Sequence, residues 1–149
     1  MPDKLLVIVD ADTLAGWRRP TSSLAQLHQA VADLRKQAPE AVVAVIADPS
    51  LKWALSDVER ELVEDDIVNG DLLFAPAGCA DGHVGFLLRV VEKAEKRGYH
   101  AVAITDQVVP GTPIARVRKD GTRWVFDLAD AAPTAVVASV RAGGRRRRR

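Results

Sequence analysis

Three short apolar runs, each closed by an aspartate, constrain the fold of this chain more than any other feature. They are residues 4–9 before Asp10, residues 41–47 before Asp48, and residues 101–105 before Asp106. An apolar run without alternating polar residues is typical of a strand that is buried on both faces, as in a parallel sheet. The sequence therefore predicts parallel strands with acids at their carboxyl ends.

Segments with a helical repeat of apolar residues lie between these strands. Helices are predicted over residues 21–37, from a capping box at Ser56 to Gly70, and over residues 81–97. A further short strand, the third in chain order, is predicted over residues 71–75. Strands that alternate with helices predict an α/β fold, a three-layer α/β/α sandwich with a mainly parallel sheet.

The C-terminal part of the chain departs from this alternation. Residues 115–119 and 122–127 flank an Asp120-Gly121 turn, a pattern that indicates a β-hairpin. A final helix is predicted over residues 128–140, with an interruption near Pro133. With no repeat or internal linker, we expect one domain over residues 1–140.

The charge of the chain is divided unevenly. Residues 141–149 hold six arginines, so residues 1–140 carry a net charge of −5 although the whole chain carries +1. Five of the six form the C-terminal block Arg145, Arg146, Arg147, Arg148 and Arg149. An arginine block repels itself and attracts phosphate backbones, so a disordered, nucleic-acid-binding tail is predicted. A purification tag and an end without function are alternatives that fit the same composition.

Several classes of protein are excluded or disfavoured by what the sequence lacks. The only cysteine, Cys79, excludes an internal disulfide and a Cys-based zinc finger. No glycine-rich Gly-Lys-Ser/Thr loop for a nucleotide is present. Neither a signal peptide nor an apolar run of about 18 residues is found, so we expect a soluble, cytoplasmic protein without membrane partners.

The acids at the strand ends indicate a cation site. Asp10, Asp48 and Asp106 end strands, Asp12 follows the first strand by two residues, and Asp81 opens the long helix. In parallel sheets the ligand lies at the carboxyl ends of the strands. Acids gathered there repel each other, and a divalent cation such as Mg²⁺ or Mn²⁺ relieves the repulsion. Asp48 and Asp81 can alternatively be helix caps, so Asp48 is only a possible additional acid.

Four segments resemble motifs of the PIN-like nucleases, and in particular the NYN branch related to Regnase-type endoribonucleases. They are VIVDADTL, ADPSLKWALSD, NGDLLFAPAGCADGHVGFLLRVVEKA and AVAITDQVV, within residues 4–110. The resemblance implies that Asp10, Asp81 and Asp106 are catalytic metal ligands and that Asp12 supports the first of them. It also implies hydrolysis of RNA by a metal-activated water, without a covalent protein intermediate.

Three positions depart from the NYN pattern. Gly82 replaces a frequent second acid, Thr105 replaces an Asn, and Gln107 begins a segment that lacks the usual basic and aromatic residues. These departures keep open a second hypothesis, a catalytically degenerate module that binds RNA or the ribosome. A haloacid-dehalogenase phosphatase fits less well, because the spacing in Asp10-Ala11-Asp12-Thr13 is one residue too short.

Candidate RNA-binding residues lie near the first two acids. Arg18 and Arg19 follow the first strand and could clamp a phosphate, and Lys52 could supply charge beside Asp48. Thr13 either contacts phosphate or caps the turn.

Trp53 and His83 are predicted to have structural roles. Trp53 is predicted to be partly in the core, with a stacking face for a base as the alternative. His83 is predicted to be a surface histidine, with a metal ligand or proton donor as the alternative. We expect a single-stranded RNA partner, and a homodimer is possible.

Overall fold

The computed structural model describes residues 4–76, 78, 81–107, 109 and 111–128. Six strands are found: β1 Lys4–Asp10, β2 Val42–Ala47, β3 Leu73–Phe74, β4 Tyr99–Ile104, β5 Arg116–Asp120 and β6 Arg123–Asp127. The five helices of this described part are α1 Ala11–Ala15, α2 Leu24–Gln37, α3 Leu51–Ala54, α4 Asp57–Asn69 and α5 Gly82–Lys96.

The central sheet is parallel and has the strand order β3-β2-β1-β4. The chain passes from β1 outward to β2 and β3, and then crosses back to place β4 on the other side of β1. Beyond β4, Ile114 forms a parallel bridge with Ala103 of β4 before the chain enters the β5–β6 hairpin. The strand order therefore reverses between β1 and β4, which is where ligands bind in sheets of this kind.

Two apolar layers fix the helices on opposite faces of the sheet. On one face, β1 residues such as Ile8 pack with Leu87 and Val91 of α5. On the other face, Val7 and Val9 belong to a larger cluster that includes α1, α2, α4 and the hairpin, with Trp124 fully buried in it. The predicted three-layer α/β/α class with a parallel sheet is thus confirmed, together with the hairpin.

Several predicted boundaries are wrong, and two helices were not predicted. The helix expected from residue 21 begins at Leu24, and only Leu73–Phe74 of the strand expected over residues 71–75 is paired. α1 and α3 have only five and four residues, too few to show a helical repeat. Apart from Leu128, the predicted C-terminal helix lies outside the described residues.

The capping box at Ser56 is only half formed, because Glu59 stabilises a different helix. Ser56 Oγ accepts a hydrogen bond from the backbone N–H of Glu59, as predicted. The Glu59 carboxylate instead accepts hydrogen bonds from the backbone N–H groups of Leu24 and Ala25, at 2.9 and 3.1 Å. A carboxylate at a helix N-terminus satisfies free N–H groups and suits the helix dipole. This contact ties α4 to the start of α2.

No helix in the described part of the chain has the length and apolar character needed to cross a membrane.

Candidate metal centre

The site lies at the carboxyl edge of the sheet, where β1, β2 and β4 end side by side. Asp10 is the last residue of β1, Asp48 follows β2 directly, and Thr105 follows β4 directly. β1 pairs with both of the other strands, so these three positions are neighbours across the sheet. Polar residues meet at this edge, as the sequence predicts, because parallel strands present their carboxyl ends together.

Asp10 is the most deeply placed of the acids, with an exposed fraction of 1%. Its Oδ2 lies 2.7 Å from the hydroxyl of Thr105, 3.1 Å from that of Thr13 and 3.3 Å from Nε2 of His83. Its Oδ1 is buried and has no hydrogen-bond partner among the described residues. A buried carboxylate oxygen without a partner is costly, and a bound cation removes that cost.

Asp12 lies at the start of α1, beside Asp10. Its Oδ2 accepts a 2.8 Å hydrogen bond from the backbone N–H of Asp48. Burial raises the pKa of Asp12 to about 6, and the neighbouring charge of Asp10 adds to the rise, while the hydrogen bond from Asp48 opposes it. Asp12 is therefore held close to a second acid at an electrostatic cost that a cation would remove.

His83 is a partly buried side chain next to these acids, a position that fits the alternative considered for it, a metal ligand. Its side chain is 19% exposed, with Nε2 3.3 Å from Oδ2 of Asp10 and Nδ1 3.6 Å from Oδ1 of Asp48. Asp81 and Gly82 both have left-handed backbone conformations, with φ of 63° and 64°, and they turn the chain into α5 just before His83. An acid at position 82 would be strained in that conformation, whereas glycine is not.

The three side chains fit a divalent cation. Asp10, Asp12 and His83 each offer one ligand atom, and these atoms lie within 4.8 Å of one another. Two carboxylates supply the charge and oxygen atoms that divalent ions require, and the imidazole adds a nitrogen. The unpartnered Oδ1 of Asp10 is the independent sign that the group is incomplete without an ion.

Asp48 lies next to Nδ1 of His83 and is stabilised in its charged form. Ser50 donates hydrogen bonds to the Asp48 carboxylate from its hydroxyl and from its backbone N–H, and these lower the pKa of Asp48. A carboxylate next to the second nitrogen of a metal-binding histidine fixes the orientation of the ring. The position of Asp48 fits this supporting role.

The two remaining predicted ligands lie outside the close group. Asp81 is exposed at the start of α5, and its side chain does not cap the helix. Asp106 is also exposed, but its Oδ1 is 3.1 Å from the hydroxyl of Thr13 and 2.9 Å from Nε2 of Gln107. The Thr13 hydroxyl thus lies between Asp10 and Asp106, and because it carries one proton it donates to one of them at a time. Metal binding by Asp81 and Asp106 stays a prediction.

The predicted phosphate-binding residues differ in whether their basic groups already have partners within the protein. Arg18 lines an open cleft together with Asp12 and Asp106, and its guanidinium lies 6.0 Å from the ring of Trp17. Its backbone is left-handed, with φ of 54°. Arg19 donates to the carbonyl of Thr21, and the ammonium of Lys52 pairs with Glu64. The arginines of residues 145–149 lie outside the described part of the chain.

Comparison with known proteins gives one informative result. No protein-family model matches the chain, and no curated protein matches it. The fold is similar to part of the crystal structure of nuclear proteinaceous RNase P 2 (PRORP2) from A. thaliana, with a TM-score of 0.61 and 16% sequence identity. The chain shares this fold. The match covers 83% of the present chain and 30% of the other, so the chain spans less than a third of that protein's length.

The likeness to PRORP2 is consistent with the predicted PIN-like fold, and at this identity it shows the fold alone. A relation to the Regnase branch stays a prediction. The two site residues that sequence reasoning missed are His83 and Thr105, one read as a surface residue and the other as a departure from the motif. A histidine two residues after a helix-opening acid, and a hydroxyl at the end of a buried strand, were the available signals.

Proposed function

We propose that this chain is a metal-dependent ribonuclease that hydrolyses phosphodiester bonds of RNA. The observation that carries the proposal is the buried, half-satisfied carboxylate of Asp10 at the reversal point of the sheet, with Asp12 and His83 beside it. The fold is shared with part of a protein named as an RNase P, which supports RNA as the substrate.

Asp10, Asp12 and His83 would hold the ion, with Asp81 and Asp106 as the further ligands that the NYN resemblance implies. When bound, Mg²⁺ or Mn²⁺ supplies a Lewis acid that activates water and offsets the negative charge of a phosphodiester. Thr105 and Thr13 orient the carboxylate of Asp10, and Asp48 orients the ring of His83. These contacts hold the donor atoms in place before substrate arrives, which is what precise catalysis requires.

Substrate binding is assigned to basic residues around the acids. Arg18 lines the cleft that also contains Asp12 and Asp106, so a phosphate in this cleft would lie beside the metal centre. Arginine is suited to this role because its planar fork binds two phosphate oxygens. Arg19 and the arginine tail would add attraction for the flanking phosphates, whereas Lys52 is paired with Glu64 and is not assigned this role. A homodimer and a cytoplasmic location stay predictions.

The decisive test is cleavage of a fluorescently labelled single-stranded RNA. We expect cutting with Mn²⁺ or Mg²⁺, none with EDTA, and none in Asp10→Ala and Asp10→Asn, of which the second keeps the shape of the side chain. The matched control is Asp65→Ala, which removes an exposed acid of α4. Equal cutting by Asp10→Asn and the wild type would contradict the proposal, as would a folded wild type that cuts no RNA with either metal.

A further inference from the structure

Trp53 is an exposed aromatic residue five positions after Asp48 in the sequence. Its exposed fraction is 72%, so the predicted place in the core is wrong. It belongs to α3, which begins directly after the Asp48-Pro49-Ser50 turn, and Asp48 is in contact with His83. Five residues of chain span at most about 18 Å, which limits the separation between Trp53 and this edge of the sheet.

The Trp53 ring is held by Arg60, which is itself fixed. The Arg60 guanidinium lies 5.0 Å from the centre of the ring, a cation–π contact. Arg60 donates to the backbone carbonyls of Lys52 and Leu55, at 3.0 and 3.2 Å, and to the carboxylate of Asp57 at 2.9 Å. These three bonds fix the orientation of the guanidinium, so it serves to position the ring.

The charges around the ring favour a base over a phosphate as its ligand. The two cations nearest in the chain, Lys52 and Arg60, are paired with Glu64 and Asp57 respectively. The following helix α4 is rich in acids, which repel a phosphate backbone. The Trp53 ring therefore offers a ligand an aromatic face rather than a free charge, and every nucleobase can stack on such a face.

We propose that Trp53 is a stacking platform for an unpaired base of an RNA strand whose phosphates cross the metal centre. The proposal rests on the proposed function for the identity of the ligand. In a duplex, each base is already covered by its neighbours, whereas bases of single strands, loops and bulges can be splayed onto an aromatic side chain. The platform therefore makes unpaired RNA the preferred substrate class.

Binding to matched oligomers in EDTA tests this without any cleavage. The probes are a short oligouridylate and an abasic ribose-phosphate oligomer with the same number of phosphates. We expect Trp53→Ala to weaken oligouridylate binding by about 5- to 100-fold and to leave abasic binding unchanged. Trp53→Phe should recover most of the affinity, and Arg60→Met should lose part of it. Val68→Ala, which truncates an apolar side chain that is 85% exposed on α4, is the control and should bind normally.

Intrinsic fluorescence gives a second readout. Trp124 is fully buried and Trp17 is partly buried, so oligouridylate should quench mainly the emission of Trp53. The quenching should therefore be largely absent in Trp53→Phe. Unchanged affinity in Trp53→Ala would overturn the proposal, and so would an equal loss with the abasic oligomer or no oligouridylate binding by the wild type. A shift of Trp53→Ala from dimer to monomer would also overturn it, since a second copy would then cover the ring.

The outcomes separate this proposal from the proposed function. RNA cleavage that is removed by Asp10→Asn but unchanged in Trp53→Ala would support the nuclease and overturn the platform. Base-dependent binding through Trp53 without any metal-dependent cleavage would support the platform and contradict the nuclease.

Discussion

The hydroxyl of Thr105 donates a 2.7 Å hydrogen bond to Oδ2 of Asp10, joining the ends of the adjacent strands β4 and β1. The same hydroxyl accepts a hydrogen bond from the backbone N–H of Gln107 at 3.0 Å, which leaves its proton directed at Asp10. Thr105 thus engages one oxygen of Asp10 and leaves Oδ1, the unpartnered one, for a cation. The residue that departs from the NYN motif has a supporting role in this chain.

Removing this hydroxyl is expected to weaken metal binding. Thr105→Val keeps the shape of the side chain but cannot donate to Asp10, and loss of a supporting hydrogen bond typically costs about 10- to 100-fold in metal affinity. Thr105→Ser keeps the hydroxyl and should bind close to the wild-type level. Calorimetric titration with Mn²⁺ measures both. Equal affinities of the valine variant and the wild type would show that Asp10 is oriented by other contacts.

The sheet and its acidic edge were predictable because they follow from local patterns. Each buried strand is a continuous apolar run, and Asp10 and Asp106 stand next to such runs in the sequence. Parallel pairing then brings their positions to one edge without further information. The same reasoning could not give the register of β3, because only Leu73 and Phe74 pair with β2.

The parts of the site that escaped prediction depend on contacts between distant segments. His83 is 73 residues from Asp10, and its approach depends on the left-handed turn at Asp81 and Gly82. Glu59 shows the same limit, since the motif predicts a bond within α4 and the structure uses its carboxylate at the start of α2. Sequence pattern identifies residues that are able to bond, whereas packing decides which partner they meet.

His83 is expected to shift the preference of the site toward transition metals. Imidazole is a common ligand for Ni²⁺, whereas Mg²⁺ takes oxygen ligands. His83→Asn replaces the nitrogen donor by an amide, so Ni²⁺ affinity should fall at least about tenfold more than Mg²⁺ affinity. Competition titrations of the two ions measure the ratio.

The control for this experiment is His28→Asn, which removes an exposed histidine that pairs with Asp66 on another part of the surface. It should leave the ratio of Ni²⁺ to Mg²⁺ affinity unchanged. That result would show that the change in His83→Asn is not a general effect of removing a histidine. An unchanged ratio in His83→Asn would mean that His83 orients Asp10 without binding the ion itself.

Asp12 is expected to make the metal-free protein less stable as the pH rises. Its pKa is about 6 in the folded chain and 3.8 ordinarily, so between these values the folded state holds a proton that the unfolded state has lost. Stability contributed by this proton is present below about pH 4 and is lost as the pH rises through about 6. In EDTA, the melting temperature of the wild type relative to Asp12→Asn should therefore fall from about pH 4 to about pH 7.

A divalent ion should cancel this loss, because it replaces the proton that Asp12 holds in the folded chain. The rise in melting temperature on adding Mn²⁺ should be larger at about pH 7 than at about pH 5, since binding at the lower pH must displace the proton. Asp48 does not complicate the comparison, because its pKa is lowered and it titrates below this range. A difference between the wild type and Asp12→Asn that stays constant with pH would contradict the raised pKa.

The arginine tail is expected to supply affinity without base preference. Deleting residues 141–149 removes six positive charges, so binding of single-stranded RNA should weaken and its dependence on salt should become shallower. For single strands each neutralised phosphate contributes about 0.7 to the slope of log affinity against log salt, so the slope should fall by up to about four.

The tail and Trp53 should act independently in this assay. Deleting the tail should weaken binding of oligouridylate and of the abasic oligomer equally, because arginines attract the phosphates that both probes carry. Replacing the six arginines by lysine keeps the charge and should preserve most of the salt slope, which separates attraction by charge from specific contacts. Unchanged affinity and slope after deletion would show that the tail makes no contact with RNA, and the phosphate contacts would then be assigned to Arg18 and its neighbours alone.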